Sequence, residues 1–248
     1  MLYGNQSISH FTRSNQAIWM LMSFQAGILN IGGFLAGHQI VSHVTGFATN
    51  FGSDLSKGVS PWRYLLVPIF FLLGSMVSGY FVDLRLKLKK KPRYYITFTM
   101  MFLLICSIWL LGVFGVFGSF GNYEELPSRA LLILLCFTCG LQNGTISTVS
   151  RSVVRTTHLT GVTTDLGLGI VRILNRKKLD DRIIDEGKAN IMRIGIIFFF
   201  TLGAVVGGYL FSHFEFHGFL LPVFISGGLL WLMIYYQVIK SVGPKPDL

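Results

Sequence analysis

Charge is what this sequence has least of: only 13% of its 248 residues are Asp, Glu, Lys or Arg. Soluble domains carry about 25%, so an ordinary water-soluble globule is excluded. Acidic residues are the scarcer sign, 11 against 21 basic ones. Cysteine is limited to Cys106, Cys136 and Cys139, all inside apolar runs. An odd count with none in a loop excludes a disulfide framework. The Cys136-x-x-Cys139 pair has no second pair beside it and reads as helix packing rather than a metal or redox centre. The six histidines lack metal-ligand spacing, and H-E-x-x-H, G-x-x-x-x-G-K-[ST] and G-x-S-x-G do not occur. The machinery of metal-assisted, nucleotide-driven and serine-hydrolase chemistry is therefore not visible. The expectation is a protein that is not an enzyme and uses no cofactor or metal.

What fills the chain instead is hydrophobic: 52% of residues are apolar, with a mean hydropathy of +0.59. Apolar runs fall at 17–37, 62–82, 95–117, 129–148, 191–211 and 218–239. Each matches the roughly 20 residues a helix needs to cross a bilayer. The expected fold class is an all-α membrane protein of six transmembrane helices, with 1–248 forming a single membrane domain. The polar stretch through Gln16, and Gln25 and Asn30 in the first run, do not read as a cleavable signal.

A formal net charge of +10 would suggest nucleic acid in a soluble protein. Here the basic residues cluster in short loops beside spans, where they orient the chain and meet anionic headgroups. Membrane lipid, and no nucleic acid, is the expected partner.

Two further segments are helix-like but short and polar. "HVTGFATNFG", His43 to Gly52, is echoed by "HLTGVTTDLG", His158 to Gly167. "FQAGILN" from Phe24 aligns with "FTCGLQN" from Phe137, and "LGSMVSGY" from Leu73 with "LGAVVGGY" from Leu202. Three matched blocks in one order identify an internal duplication, with repeats at about 17–118 and 129–239.

The loops carry opposite charge bias in the two halves. Arg85, Lys87, Lys89, Lys90, Lys91 and Arg93 follow the second run, whereas the matching stretch 212–217 has no Lys or Arg. The segment after the second polar repeat carries Arg172, Arg176, Lys177, Lys178, Arg182, Lys188 and Arg193, and its counterpart only Lys57 and Arg63. By the positive-inside rule the halves face opposite ways. The expectation is two inverted three-helix repeats, each with a broken or re-entrant half-helix, and both termini cytoplasmic. The acidic linker at Glu124 and Glu125 then falls outside, and 176–188 reads as a short cytoplasmic helix.

Inverted repeats with a polar break in each half are a pattern of secondary transporters. Lipid cannot satisfy free backbone groups, so a break is tolerated only beside protein or a wet cavity. Gly46 and Gly161 permit a turn or a close approach, and Thr45 and Thr160 are expected as N-caps of the half-helices. Such N-termini present unpaired N–H groups to an anion or polar solute. The candidate substrate-binding set is Asn30, His43, Thr45, Gly46, Thr49, Asn50 and Asn143, with Arg155, His158, Thr160, Gly161, Thr164 and Asp165. Asp165 stands where the first half has Asn50, and a carboxylate at membrane depth should be paired or used, as a proton or sodium site. Arg151 and Arg155 are its candidate partners. Asp54 has no acidic counterpart at Gly169 and is expected to face the outer water.

"SHVTGFATNFG" together with "CGLQNGTIS" and "VRTTHLTGVTTDLG" resembles the YoaK-like bacterial membrane proteins, a family of unassigned function. The resemblance runs from about Ala17 to Val238. That family commonly has Asn after the first Thr-Gly, where this chain has Phe47. The resemblance implies a multi-span protein of the bacterial inner membrane and no substrate.

The residues therefore point to a secondary transporter for a small polar or anionic solute. A passive channel of the same architecture, or a lipid- or partner-binding membrane protein, would use the same spans. Gly112, Gly115 and Gly118 suggest a glycine face for a homodimer.

Overall fold

Aliphatic and aromatic residues at a helical period set the architecture. The computed structural model describes residues 13–60, 62–121, 126–149, 159–175 and 183–239, and among these every regular element is helical. In chain order they are α1 (Arg13–Gly37), α2 (Val44–Ser56), α3 (Leu66–Ser78), α4 (Leu84–Lys87), α5 (Tyr94–Val113), α6 (Leu126–Val149), α7 (Leu159–Leu174), α8 (Ile183–Phe214) and α9 (Leu220–Ile234). A π-helical turn, Gly79–Asp83, joins α3 to α4 into one rod.

Five helical stretches are long and apolar enough to cross a membrane: Asn15–Gly37, Leu66–Lys87, Tyr94–Val113, Arg129–Thr148 and Glu186–Ile239. The last spans 54 residues, far more than the roughly 20 of one crossing. It is interrupted at Glu215–Phe219, where Glu215 takes a φ of 49° and Phe216 and Phe219 are buried.

The outer surface confirms the solvent. Ile69, Leu73, Met76 and Tyr80 are exposed along the α3 rod, and Phe198, Leu202, Val205 and Tyr209 along α8. The two stripes share one 4-3-4 spacing, a single helical face. Apolar stripes of this length on the outside of a monomer mark a surface that does not meet water. The polar residues Gln25, Ser23, Thr138, Gln142 and Ser78 are inside.

The packing is reciprocal between the two halves. α1 lies along α8, and α3 lies along α6, while α5 meets α9 and α1 meets α6. One sequence unit makes both long seams. Phe-x-x-Gly occurs at Phe24–Gly27, Phe71–Gly74, Phe137–Gly140 and Phe200–Gly203. A methyl group on Gly27 would overlap the carbonyl oxygen of Phe200, and one on Gly203 the carbonyl oxygen of Phe24. Gly74 and Gly140 stand in the same relation to Phe137 and Phe71. Each glycine thus turns a Cα–H toward a carbonyl of the facing helix, a close approach that only a residue without Cβ allows.

Helix ends follow ordinary chemistry. α2 and α5 close on Gly58 and Gly115, both with positive φ, and their bonds Val59 N–H to Asp54 O and Val116 N–H to Leu111 O complete Schellman motifs. The basic loop closes the same way, but with Lys89 at φ 55°. A side chain there costs on the order of 1 kcal/mol, so Lys89→Gly is expected to stabilise the protein by about 0.5–1 kcal/mol. Equilibrium unfolding in detergent checks it; an unchanged or lower midpoint would contradict the strain.

Of three glycines expected to offer a dimer face, one packs within the chain and two lie off the helix. Gly112 is covered by the Phe216 ring of its own chain. Gly115 and Gly118 lie beyond the end of α5 with φ of 75° and 77°, in a turn and not on a helix face. The acidic-basic segment also differs from expectation: from Ile183 it is already the first turns of α8, while 176–182 lie outside the described residues.

Candidate functional site

α1 and α6 cross inside the bundle, and their inward faces carry amides. Gln25 is the thirteenth of the 25 residues of α1, its midpoint, and is fully buried. Its Nε2 donates to Gln142 Oε1 at 3.3 Å, and Gln142 Nε2 donates to the Met22 carbonyl at 2.7 Å. That sequence of donors leaves Gln25 Oε1 buried with no partner. A buried acceptor without a donor costs about 1–3 kcal/mol, more than chance tolerates in the middle of an apolar span. Asn143, one residue on, is also buried with Oδ1 unpartnered. Ser23 satisfies itself on Trp19 O, and Ser78 and Thr145 bond one another at 2.9 Å.

Gln25 and Gln142 were not among the residues expected at a site. A glutamine in an apolar run is visible in the sequence, but its partner 117 positions away is not.

The polar repeats form the helices expected, α2 and α7, and neither is long enough to cross. Their starts differ from expectation. α2 begins at Val44 with His43 in the N-cap position and no side-chain cap, so Thr45 lies within the first turn. Its hydroxyl pairs instead with His43 Nε2 at 2.6 Å. Gly46 makes room for that ring, since a Cβ there would stand 2.8 Å from His43 Nδ1. The helix starts early because Asn30 Oδ1 accepts from both Ser42 N–H, at 3.4 Å, and Ser42 Oγ, at 2.8 Å. Asn30 thus anchors the turn before α2.

α7 begins at Leu159, which places Thr160 inside it rather than at the cap. Gly161 is half-buried in its first turn, and Arg151, Arg155 and His158 lie outside the described residues. The two short helices repeat one detail: Thr49 Oγ1 donates to Thr45 O at 3.3 Å, and Thr164 Oγ1 to Thr160 O at 3.0 Å. His43, Thr45, Thr49, Asn50, Thr160, Thr164 and Asp165 are all exposed. α2 packs on Trp62–Leu65 and α3, and α7 on α8. Neither short helix is a principal packing partner of the other, so the two polar faces line separate surfaces in this conformation. The Asp165 carboxylate stands open rather than enclosed.

Asp54 does not simply face outward. Tyr64, itself buried, donates its hydroxyl to Asp54 Oδ2 at 2.9 Å and so ties α2 to the start of the long helix after it. Its counterpart Gly169 is buried, and a Cβ on it would meet Glu186 Oε1 at 2.6 Å and Arg193 Nη1 at 2.7 Å. The second half therefore does hold a carboxylate at this place, supplied by α8. Neither a metal-ligating group of His, Cys, Asp and Glu nor a disulfide is found among the described residues, and all three cysteines are free.

A family model described as "Protein of unknown function (DUF1275)" matches residues 18–233. No curated protein and no solved structure matches the chain.

Proposed function

We propose, from the premise that the chain belongs to the DUF1275 family, that it is a secondary transporter of a small polar or anionic solute in the bacterial inner membrane. The observation that carries this reading is the half-satisfied amide pair Gln25–Gln142, buried at the midpoint of an apolar span. A Leu at either position would carry no such cost, and a polar pair at this depth fits a group that a passing solute satisfies.

The architecture proposed is six crossings in two inverted three-span repeats, with both termini cytoplasmic. Three observations support it. The four Phe-x-x-Gly contacts are reciprocal, α5 meets its counterpart α9, and the loop charge bias reverses between halves. In this reading the exposed polar faces of α2 and α7 are two mouths that lead toward the amide pair from opposite sides. Thr45, Thr49 and Asn50 line one, and Thr160, Thr164 and Asp165 line the other. Asp165 is the asymmetric member, the candidate coupling group for a proton or sodium ion.

The test is flux in proteoliposomes over a panel of labelled small carboxylates, amino acids and sugars, with and without imposed proton and sodium gradients. Saturable flux of one class, reduced at least tenfold by Asp165→Asn or His158→Ala, is expected. Flux no faster than in protein-free vesicles for every class overturns transport. Non-saturating flux that both variants leave unchanged favours the passive channel.

A further inference from the structure

Each half has a short helix docked on the long helix that follows it, α2 on the α3 rod and α7 on α8. The docking residues are equivalent by position. Asp54 and Gly169 each lie eight residues after the repeat glycines Gly46 and Gly161, and Tyr64 and Arg193 each lie ten residues before Gly74 and Gly203. In the first half the short helix supplies the carboxylate and the long helix the donor, Tyr64 to Asp54.

The second half keeps the carboxylate but moves it to the other helix. Glu186 of α8 accepts from Arg193 Nη1 at 2.6 Å and from Arg172 Nη1, on α7, at 3.2 Å. Arg193 Nη1 also donates to Asn190 Oδ1 at 2.5 Å. Gly169 is the space in which this cluster sits.

The second arrangement is satisfied less well than the first. One carboxylate serves two guanidinium groups, and Asn190 Nδ2 and Arg193 Nε are buried with no acceptor. Only Arg172, with its side chain 52% exposed, reaches from α7 to the cluster. A seam whose closed form leaves buried donors unpaired loses less on opening, because water then satisfies them.

We infer that these clusters are equivalent latches between short and long helices, and that the α7–α8 latch is the one built to open. The inference goes beyond transport and does not need it. Opening exposes the cluster and releases the helix that carries Thr160, Thr164 and Asp165, whichever solute is involved.

Hydrogen exchange on the full chain in lipid nanodiscs reads this directly. The α7 amides are expected to exchange at least tenfold faster in Glu186→Gln than in the parent, with the middle of α1 and of α6 unchanged. In Glu186→Ala, adding Gly169→Asp restores the first-half arrangement and should bring back at least half of the lost protection. In the parent, the α7 amides are expected to exchange faster than those of α2.

Unchanged α7 exchange in Glu186→Gln overturns the latch, and so does an equal rise in every helix. Parent α2 exchange faster than that of α7 overturns the claim of which latch opens, as does a failed Gly169→Asp rescue for their equivalence. Should Glu186→Gln not fold, Arg172→Gln carries the same expectation at threefold or more. None of these readouts depends on flux, so their failure and that of the transport reading are separable.

Discussion

Gly140→Ala is expected to lower the stability of the fold by about 3 kcal/mol or more, the upper end of overpacking costs. Two effects compete. Alanine is the better helix former by about 1 kcal/mol, and in open surroundings that gain would dominate. At Gly140 the new carbon overlaps the Phe71 carbonyl oxygen and lies 2.8 Å from its carbon and 2.9 Å from its Cα. All three obstacles are backbone, so no rotamer change relieves them. A carbon–oxygen contact relaxes only near 3.3 Å, which requires the helices to part by roughly an ångström. A gap of about that size forfeits a quarter to a half of each dispersion contact along the seam.

The measurement is thermal unfolding in detergent, with Gly228→Ala as control, since nothing lies within 4 Å of a Cβ there. The expected drop for Gly140→Ala is roughly 6–12 °C, while the control stays level or rises. Gly203→Ala should behave alike against Phe24. Because Gly27 and Gly203 guard one seam, the double variant should cost less than the sum of the singles. A Gly140→Ala midpoint within a degree of the parent would mean that the seam is not packed as described.

The same four glycines show what could and could not be read before the structure. The apolar runs at 17–37 and 129–148 became spans at Asn15–Gly37 and Arg129–Thr148, because twenty apolar residues in lipid have few alternatives to a helix. Phe-x-x-Gly is legible at these four places and also at Phe34–Gly37 and Phe224–Gly227, and the pattern alone does not say which copies face which helix. That knowledge came only from the contacts. The second rod overran its expected end, reaching Lys87 through a π turn, since long basic side chains can extend from the last turn to the headgroups. The early residues of α8 differ from expectation for a related reason. Mixed Asp, Glu and Lys suggest a separate, solvated cytoplasmic helix, whereas from Ile183 the segment opens α8 and Glu186 is paired inside the helix seam.

The candidate site divides along the same line. The polar repeat pointed correctly to two short helices, but not to their exposed setting. Thr45 was expected as a cap because Thr before an apolar run often is one. Asn30 and Ser42 fix the turn two residues sooner and leave the cap to His43. Composition marks polarity, and only tertiary contacts show whether a polar group is a strut or a contact for a ligand.

The amide pair separates strut from contact most sharply. Gln142→Leu is expected to destabilise by about 1–3 kcal/mol, because it strands the buried amide of Gln25. Gln25→Leu should cost less, since it removes an orphan acceptor along with a donor. Replacing both with Leu fills similar volume and leaves neither side wanting, so the double variant should unfold at or above the parent midpoint. A pair kept for stability would make the double variant the worst of the three. A pair kept for a solute makes it the best folded and the least active, with flux of the identified solute reduced at least a hundredfold. Unfolding and flux measured on one preparation decide between these outcomes. If the double variant is stable and transports normally, the amide pair is incidental and the solute passes elsewhere.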